Sequence, residues 1–221
     1  NNNGVGGGIY IAFGTLTNCL VRANRAQANG DFAFGKGGGV FAWGAAVERC
    51  VVSNNVAAGY YTWGGGVAMW GGTLRRSRIT DNTGEAFYIA SGGGVYADIL
   101  YEHALIDGCI VSNNRTRALD SWIYTVASAE GAGLNIGNGT VVRNTLVCGN
   151  TAAAVAGFTI GGGVWTSGST LENCTVTANR ATTQNDHPGD GGGVSWGYYD
   201  TCRNNIIWGN FADANPDNSG I

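Results

Sequence analysis

The fold is decided by residues 161–179, which read GGGVWTSGSTLENCTVTAN. This stretch begins with three glycines and a valine, and it ends with an asparagine 18 residues after the first glycine. The arrangement recurs in seven copies, in which 18 to 22 residues separate the first glycine from the asparagine. The asparagines are Asn24, Asn55, Asn82, Asn114, Asn150, Asn179 and Asn210. A fixed period of this size indicates a repeat architecture, in which each unit stacks on the next.

Between a glycine block and its asparagine, apolar residues alternate with polar ones, as they do in strands that bury one face. One inward column is Leu16, Val47, Leu74, Ile106, Val142, Leu171 and Cys202. The neighbouring outward column is Thr17, Glu48, Arg75, Asp107, Arg143, Glu172 and Arg203, whose sign alternates from the second copy onward. Parallel strands stacked about 4.8 Å apart would place each of these charges between two opposite charges. The pattern therefore predicts stacking in register.

The sequence predicts an all-β protein, a right-handed parallel β-helix (β-solenoid) of about seven coils with a stacked asparagine ladder. In this ladder the side-chain amides of successive coils would bond to one another along the axis. Asparagine also tolerates the left-handed backbone that a sharp corner requires, so we expect that conformation at the ladder positions. The repeat runs from Gly6 to Asn210. We therefore expect a single β-helix domain over residues 1–221, as a segment of a longer solenoid or as the subunit of a stacking fibre.

The block Gly161–Val164 and the strand Asn173-Cys174-Thr175-Val176-Thr177-Ala178-Asn179 resemble the polymorphic outer-membrane-protein repeats of bacterial surface proteins. The resemblance covers nearly the whole chain. It implies a right-handed parallel β-helix in an exported protein that is often not an enzyme. It transfers no catalytic residues, because the residues of the motif are structural.

Composition excludes several classes of protein. The chain has 39 glycines, 2 prolines and 12% charged residues, which is unsuitable for a helical protein because glycine costs about 1 kcal/mol per helical position relative to alanine. With 44% hydrophobic residues and a net charge of −3, the chain can bury a core. It has neither a basic patch for nucleic acid nor an uninterrupted apolar run for a membrane-spanning helix.

Four of the six cysteines share one inward column, where serine or threonine stands in other copies. They are Cys19, Cys50, Cys109 and Cys174. This placement indicates small buried thiols that fill a narrow interior. Since Cys19 and Cys50 fall in adjacent coils, they are the pair that could still form a disulfide.

The fourth copy carries the longest insertions, and long loops on a rigid solenoid are common binding sites. Tyr101, Trp122 and Tyr124 could form an aromatic platform for a glycan, or they could pin the loops onto the rod. Near the end of the sequence, Asp213, Asn215 and Asp217 alternate like the opening of a calcium loop. The acid that completes such a loop does not follow them, so a polar turn is the competing interpretation and no other cofactor is predicted.

Two further features leave alternatives open. Acids near histidine, such as Asp98 and Asp107 around His103, are interpreted as solvated loops and not as catalytic clusters. Apolar residues also stand in columns that should point outward, including Tyr10, Phe41, Tyr96 and Trp165 in one column and Leu20 with Ile206 in another. Either the variable segments cover these columns or another molecule does.

These observations favour a non-enzymatic extracellular or cell-surface structural protein, a rod of an adhesin or of a filament that assembles by head-to-tail stacking. The alternative is a β-helix that binds or cleaves polysaccharide through the loops of the fourth coil. An ice-binding face would need an unbroken threonine column, and Ala46, Leu105 and Val141 interrupt the candidate.

Overall fold

A computed structural model describes residues 2–98, 103–119, 127–155, 157–183 and 189–213. These residues contain strands and turns but no helix, and their strands form four parallel sheets. The chain passes through sheets A, B, C and D in that order and then starts the next coil in sheet A. Sheets A, B and C have seven strands each, and together the coils make a parallel β-solenoid of about six turns. The predicted fold class is confirmed.

Sheet A follows the glycine blocks and consists of Ile9–Ala12, Val40–Trp43, Val67–Trp70, Val95–Asp98, Leu134–Gly137, Val164–Ser167 and Val194–Trp196. Sheet B consists of Thr15–Thr17, Ala46–Glu48, Gly72–Arg75, Ala104–Asp107, Val141–Arg143, Thr170–Glu172 and Thr201–Arg203. Sheet C consists of Leu20–Arg22, Val51–Ser53, Arg78–Thr80, Ile110–Ser112, Leu146–Cys148, Thr175–Thr177 and Ile206–Trp208.

Sheet D follows the ladder asparagines and has twelve strands. They are Gly4–Val5, Arg25–Gln27, Phe34–Lys36, Val56–Trp63, Thr83–Ser91, Arg115–Ala118, Ala127–Glu130, Thr151–Ala154, Gly157–Ile160, Arg180–Thr183, Gly189–Asp190 and Phe211–Ala212. In two coils the whole side is one long strand, Val56–Trp63 or Thr83–Ser91, whereas in other coils it is split in two. The variable part of the repeat thus contributes a fourth side to the coil.

The strands are stacked in the predicted register. Leu74 pairs with Val47 and Ile106, and Arg75 pairs with Glu48 and Asp107. The inward residues fill a narrow core in which Leu74 and Ile106 are completely buried. The buried apolar surface, not the surface charges, is the main stabilising contribution of such a stack.

The outward charge column forms two close ion pairs. Arg143 Nη2 donates to Asp107 Oδ2 at 3.0 Å, and Arg203 Nε donates to Glu172 Oε2 at 2.7 Å. A hydrogen bond from Asn144 Nδ2, at 2.9 Å, and the adjacent Arg143 keep the pKa of the Asp107 carboxyl below its ordinary value. The register that the alternation of sign predicted is confirmed, and two of the five opposite-charge neighbours in the column are in contact.

The asparagine ladder lies at the corner between sheets C and D. In the middle of the stack, Asn114 Oδ1 accepts from both the backbone N–H and the Nδ2 of Asn82, each at 3.0 Å. Asn114 Nδ2 in turn donates to Ile79 O at 2.9 Å and to Asn150 Oδ1 at 3.0 Å. The side chains thus replace the backbone hydrogen bonds that the corner interrupts.

One detail of the ladder prediction is wrong. The left-handed backbone occurs at the residue before each ladder asparagine, as at Ala23 with φ 57° and Asn113 with φ 55°. The ladder position requires asparagine because its side-chain amide must both donate and accept hydrogen bonds in a buried place. The preceding position only has to turn the chain, so it tolerates several residue types, including alanine in two coils.

The cysteines of the inward column belong to the core, as the sequence indicated. All six cysteines are free, with Cys50, Cys109 and Cys174 buried, so Cys19 and Cys50 are not bridged. Burial raises the pKa of both the Cys109 and the Cys174 thiol to about 11. Where another residue replaces cysteine in this column, its oxygen accepts a backbone N–H, as Ser77 Oγ does from Cys50 N at 3.0 Å.

Candidate functional site

The candidate site lies where the end of sheet D meets the beginning of sheet A. The first glycine of each block turns the chain sharply, and at Gly64 the turn requires a φ of 69°. Because of this turn, outward side chains just before and just after the glycines face the same space. The two sides enclose a cleft of about 450 Å³, which we call the aromatic cleft.

Aromatic rings form one part of its lining. They are Phe34, Tyr61, Trp63, Tyr96 and Trp165. Phe34 and Tyr61 stack with ring centroids 4.7 Å apart, and Trp63 and Tyr96 stack at 5.1 Å with only 7° between their planes. Trp165 is half-buried and lies two coils beyond Tyr96, since Asn135 occupies the same position in the coil between them.

Polar side chains form the other part. They are Ser91, Asp98, Glu130, Asn135, Asn138 and Ser167. Glu130 accepts from Ser128 Oγ at 3.0 Å, from Ser91 Oγ at 3.1 Å and from Asn135 Nδ2 at 3.2 Å. Asp98 accepts from Asn138 Nδ2 at 2.8 Å and from the Tyr96 hydroxyl at 3.2 Å. These hydrogen bonds fix both carboxylates in place.

The cleft is elongated along the solenoid axis. Its lining runs from Phe34, which precedes the second glycine block, to Trp165, which follows the sixth. Four coil spacings of about 4.8 Å give a length of about 19 Å. The cleft can therefore contact an extended ligand over several coils.

An ammonium group already occupies the aromatic surface at one end. Lys36 Nζ lies 4.4 Å from the ring centroid of Trp63, 4.8 Å from that of Trp70 and 4.9 Å from that of Phe34. Such ring faces attract cations through their negative quadrupole. Burial lowers the pKa of Lys36, and the three rings offset part of this cost by favouring the charged form.

Burial acts in the opposite direction on the acidic and phenolic groups. It raises the pKa of the Glu130 carboxyl, although the bonds from Ser128, Ser91 and Asn135 favour the ionised form. Burial also raises the pKa of the Tyr96 hydroxyl, and the neighbouring Asp98 raises it further. The cleft thus holds a carboxylate whose charge is only partly compensated by its environment.

This arrangement predicts a pH-dependent effect of Glu130→Gln on stability. Because the folded-state pKa of Glu130 is raised, the folded protein binds more protons than the unfolded chain above the ordinary value of 4.5. The wild type should therefore lose stability relative to the variant as the pH rises from that value through the raised pKa. Thermal melts of both proteins across this range would check it, and a wild type that keeps or gains stability relative to the variant as the pH rises would contradict it.

No protein-family model, curated protein or solved structure was found to match the chain. The parallel β-solenoid stands on the strand pairing itself, and the likeness to polymorphic outer-membrane-protein repeats stays a prediction.

The structure places only some of the candidate residues. Tyr101, Trp122 and Tyr124 lie outside the described residues, so the predicted glycan platform is not tested. Of the calcium candidates, Asn215 and Asp217 also lie outside them, whereas Asp213 Oδ1 lies 3.5 Å from Arg180 Nη2. Within the described ranges, no group of three or more His, Cys, Asp or Glu residues is placed to hold a metal ion.

Asp98 and Asp107, the described acids around His103, lie on two strands and not in one solvated loop, and they do not form a cluster. Asp98 ends a strand of sheet A and lines the aromatic cleft, whereas Asp107 ends a strand of sheet B and joins the charge column. The chain turns between these two strands, so nearness in sequence did not bring the two carboxylates to one surface.

In the outward apolar columns, some residues are covered by other side chains and others are exposed. Phe41 is 1% exposed because Tyr10 and Trp70 pack on it, whereas Tyr10 is 55% exposed. Tyr96 and Trp165, from the same column, line the cleft. In the other column, Leu20 and Ile206 remain exposed.

Sequence reasoning missed Trp63 and Glu130 as site residues. Each directly precedes a glycine block, and so do Lys36 and Ser91. The available signal was this column, in which most residues are large or charged although they stand immediately before a sharp turn. Its members are Val5, Lys36, Trp63, Ser91, Glu130, Ile160 and Asp190. No helix in the described part of the chain has the length and apolar character needed to cross a membrane.

Proposed function

We propose that this protein is a rigid, non-enzymatic β-solenoid scaffold that binds a sugar chain in the aromatic cleft. The observation that carries the proposal is the combination of partly exposed aromatic rings with fixed carboxylate and amide groups in one elongated cleft. Aromatic faces pack on the apolar faces of sugar rings, and a few fixed polar groups orient the ligand.

The length of the cleft favours a polymer over a single sugar. Aromatic rings line the cleft at Trp63 and Tyr96 and again at Trp165, which lies two coils beyond Tyr96 along the axis. A chain lying along the axis could contact all three rings, while Asn135 between them offers an amide. The stacked sheets hold these groups in place, so little ordering is needed on binding.

Binding, as opposed to cleavage, is favoured by the way Glu130 is held. Its two carboxylate oxygens accept three hydrogen bonds from Ser128, Ser91 and Asn135. A carboxylate engaged in this way is suited to orienting a ligand more than to transferring a proton. An extracellular location and head-to-tail stacking of the rod are proposals that the sequence alone supports.

Replacing Trp165 by alanine is expected to lower the affinity for a bound oligosaccharide about tenfold or more. Removing a buried aromatic contact costs about 1.5–3 kcal/mol, and 1.4 kcal/mol is a tenfold change in affinity. The fold should tolerate the change, because Ala68, Asn135 and Ser195 occupy the same position in other coils. A glycan array would find the ligands, and titration calorimetry would measure the affinities.

Tyr10→Ala is the matched control. Tyr10 stands in the same column but outside the cleft, so its removal should leave the affinity unchanged. Absence of binding to every glycan on the array would refute the proposal, and so would a Trp165→Ala variant that binds as tightly as the wild type.

A further inference from the structure

The charge of the cleft narrows the class of sugar that fits it. Its described lining includes two carboxylates, Asp98 and Glu130, but no lysine, arginine or histidine. Polymers that carry carboxylate or sulfate groups would place like charges against these acids in a partly desolvated space. Such contacts are destabilising, and they exclude wrong partners.

Glu130 is the stronger determinant of the two. The three groups that donate to it are a pair of serine hydroxyls and an asparagine amide, all of them neutral. Burial raises the pKa of this carboxyl because these neutral donors do not cancel the cost of desolvation. A ligand cation at this place would supply the missing positive charge.

The aromatic end of the lining already holds a cation of the protein itself. Trp63 and Phe34 both line the cleft, and their faces hold the ammonium of Lys36 at 4.4 and 4.9 Å. Lys36 precedes the second glycine block, whereas Glu130 precedes the fifth. Three coil spacings, about 14 Å, separate these positions along the axis, which is far beyond ion-pair distance. Lys36 therefore does not neutralise the acidic end.

We propose that the occupant of the cleft is an amino-sugar polymer with protonated amines, which places an amine against Glu130 and Asp98 and its sugar rings against Tyr96 and Trp165. This inference rests on the proposed function, since it names the chemical class of the sugar chain. Charge-assisted hydrogen bonds between an amine and a carboxylate are about twice as strong as neutral ones.

The test compares a glucosamine hexamer with its fully N-acetylated counterpart by titration calorimetry over a series of mildly acidic to neutral pH values, because the amines and the Glu130 carboxylate must be charged together. We expect the free-amine hexamer to bind about tenfold more tightly. Glu130→Gln should reduce this ratio several-fold. Trp165→Ala should weaken both hexamers by a similar factor, because its ring contacts the sugar irrespective of charge.

Asp81→Asn is the control for loss of one acidic charge, since Asn54 and Asn113 occupy the same position in the neighbouring coils. It should leave the ratio unchanged. The inference is overturned if the acetylated hexamer binds equally well, or if Glu130→Gln keeps the full preference. If another, neutral glycan binds in a manner that depends on Trp165, only this inference fails. If no glycan of any kind binds, the proposed function fails as well.

Discussion

Asn114→Ala is expected to destabilise the solenoid by about 3–5 kcal/mol. The substitution removes the acceptor for the backbone N–H and the Nδ2 of Asn82, and it removes the donor to Ile79 O. Each buried polar group left without a partner costs about 1–3 kcal/mol. Asn114 is 1% exposed, so water cannot easily replace these bonds. Chemical denaturation followed by circular dichroism would measure the loss.

Asn113→Ala provides a matched control one residue away. Asn113 is exposed and has a φ of 55°, and alanine occupies the same position at Ala23 and Ala178 with φ of 57° and 53°. We expect this control to cost about 1 kcal/mol or less, as is usual for surface substitutions. Equal losses for the two variants would show that the amide ladder does not stabilise the corner.

Gly64→Ala is expected to have the other large effect, a loss of more than about 4 kcal/mol or failure to fold. Gly64 has a φ of 69°, and a Cβ added there would lie 2.1 Å from Val67 O and 2.4 Å from Val67 C. Both obstacles belong to the backbone of the sharp turn before sheet A, so no side chain can move aside. Soluble yield and thermal melts of the purified protein would show the effect.

Gly108→Ala is the control that separates the cost of the left-handed backbone from the cost of the steric clash in Gly64→Ala. Gly108 has a similar φ of 65°, but the nearest atom to an added Cβ is Arg76 Cγ at 3.8 Å. The left-handed backbone alone costs a residue with a side chain about 1–2 kcal/mol. Since Arg49 and Asn144 adopt this conformation at the same position of other coils, Gly108→Ala should fold. A Gly64→Ala variant as stable as Gly108→Ala would mean that the turn is less constrained than its geometry indicates.

The aromatic cleft depends on the same turn that makes Gly64 indispensable. Trp63 precedes this glycine, and Tyr96, the ring on which it stacks, comes 33 residues later in the next coil. A variant that opens the turn should therefore lose ligand binding together with stability. For this reason the binding tests use Trp165, which shares its position with smaller residues in other coils.

The sequence by itself determined the solenoid, its register and its ladder. A repeat that returns the same residue type to the same place, such as Asn82, Asn114 and Asn150, allows one arrangement in which every copy is satisfied, namely direct stacking. Strand alternation then fixed the inward residues such as Leu74, because a shift by one residue would expose every one of them. These are local or strictly periodic properties, so one copy of the unit predicts the others.

Only the tertiary structure decided which outward residues meet. The alternation of inward and outward residues along the strands indicates that Trp63, Tyr96 and Glu130 point away from the core. It does not indicate whether they face open solvent or one another. That depends on the angle between sheets D and A, which the left-handed glycine turn sets in three dimensions. The same angle brings Asp98 to the cleft instead of to Asp107. The site is therefore a consequence of how the coil bends, which no periodic pattern along the sequence encodes.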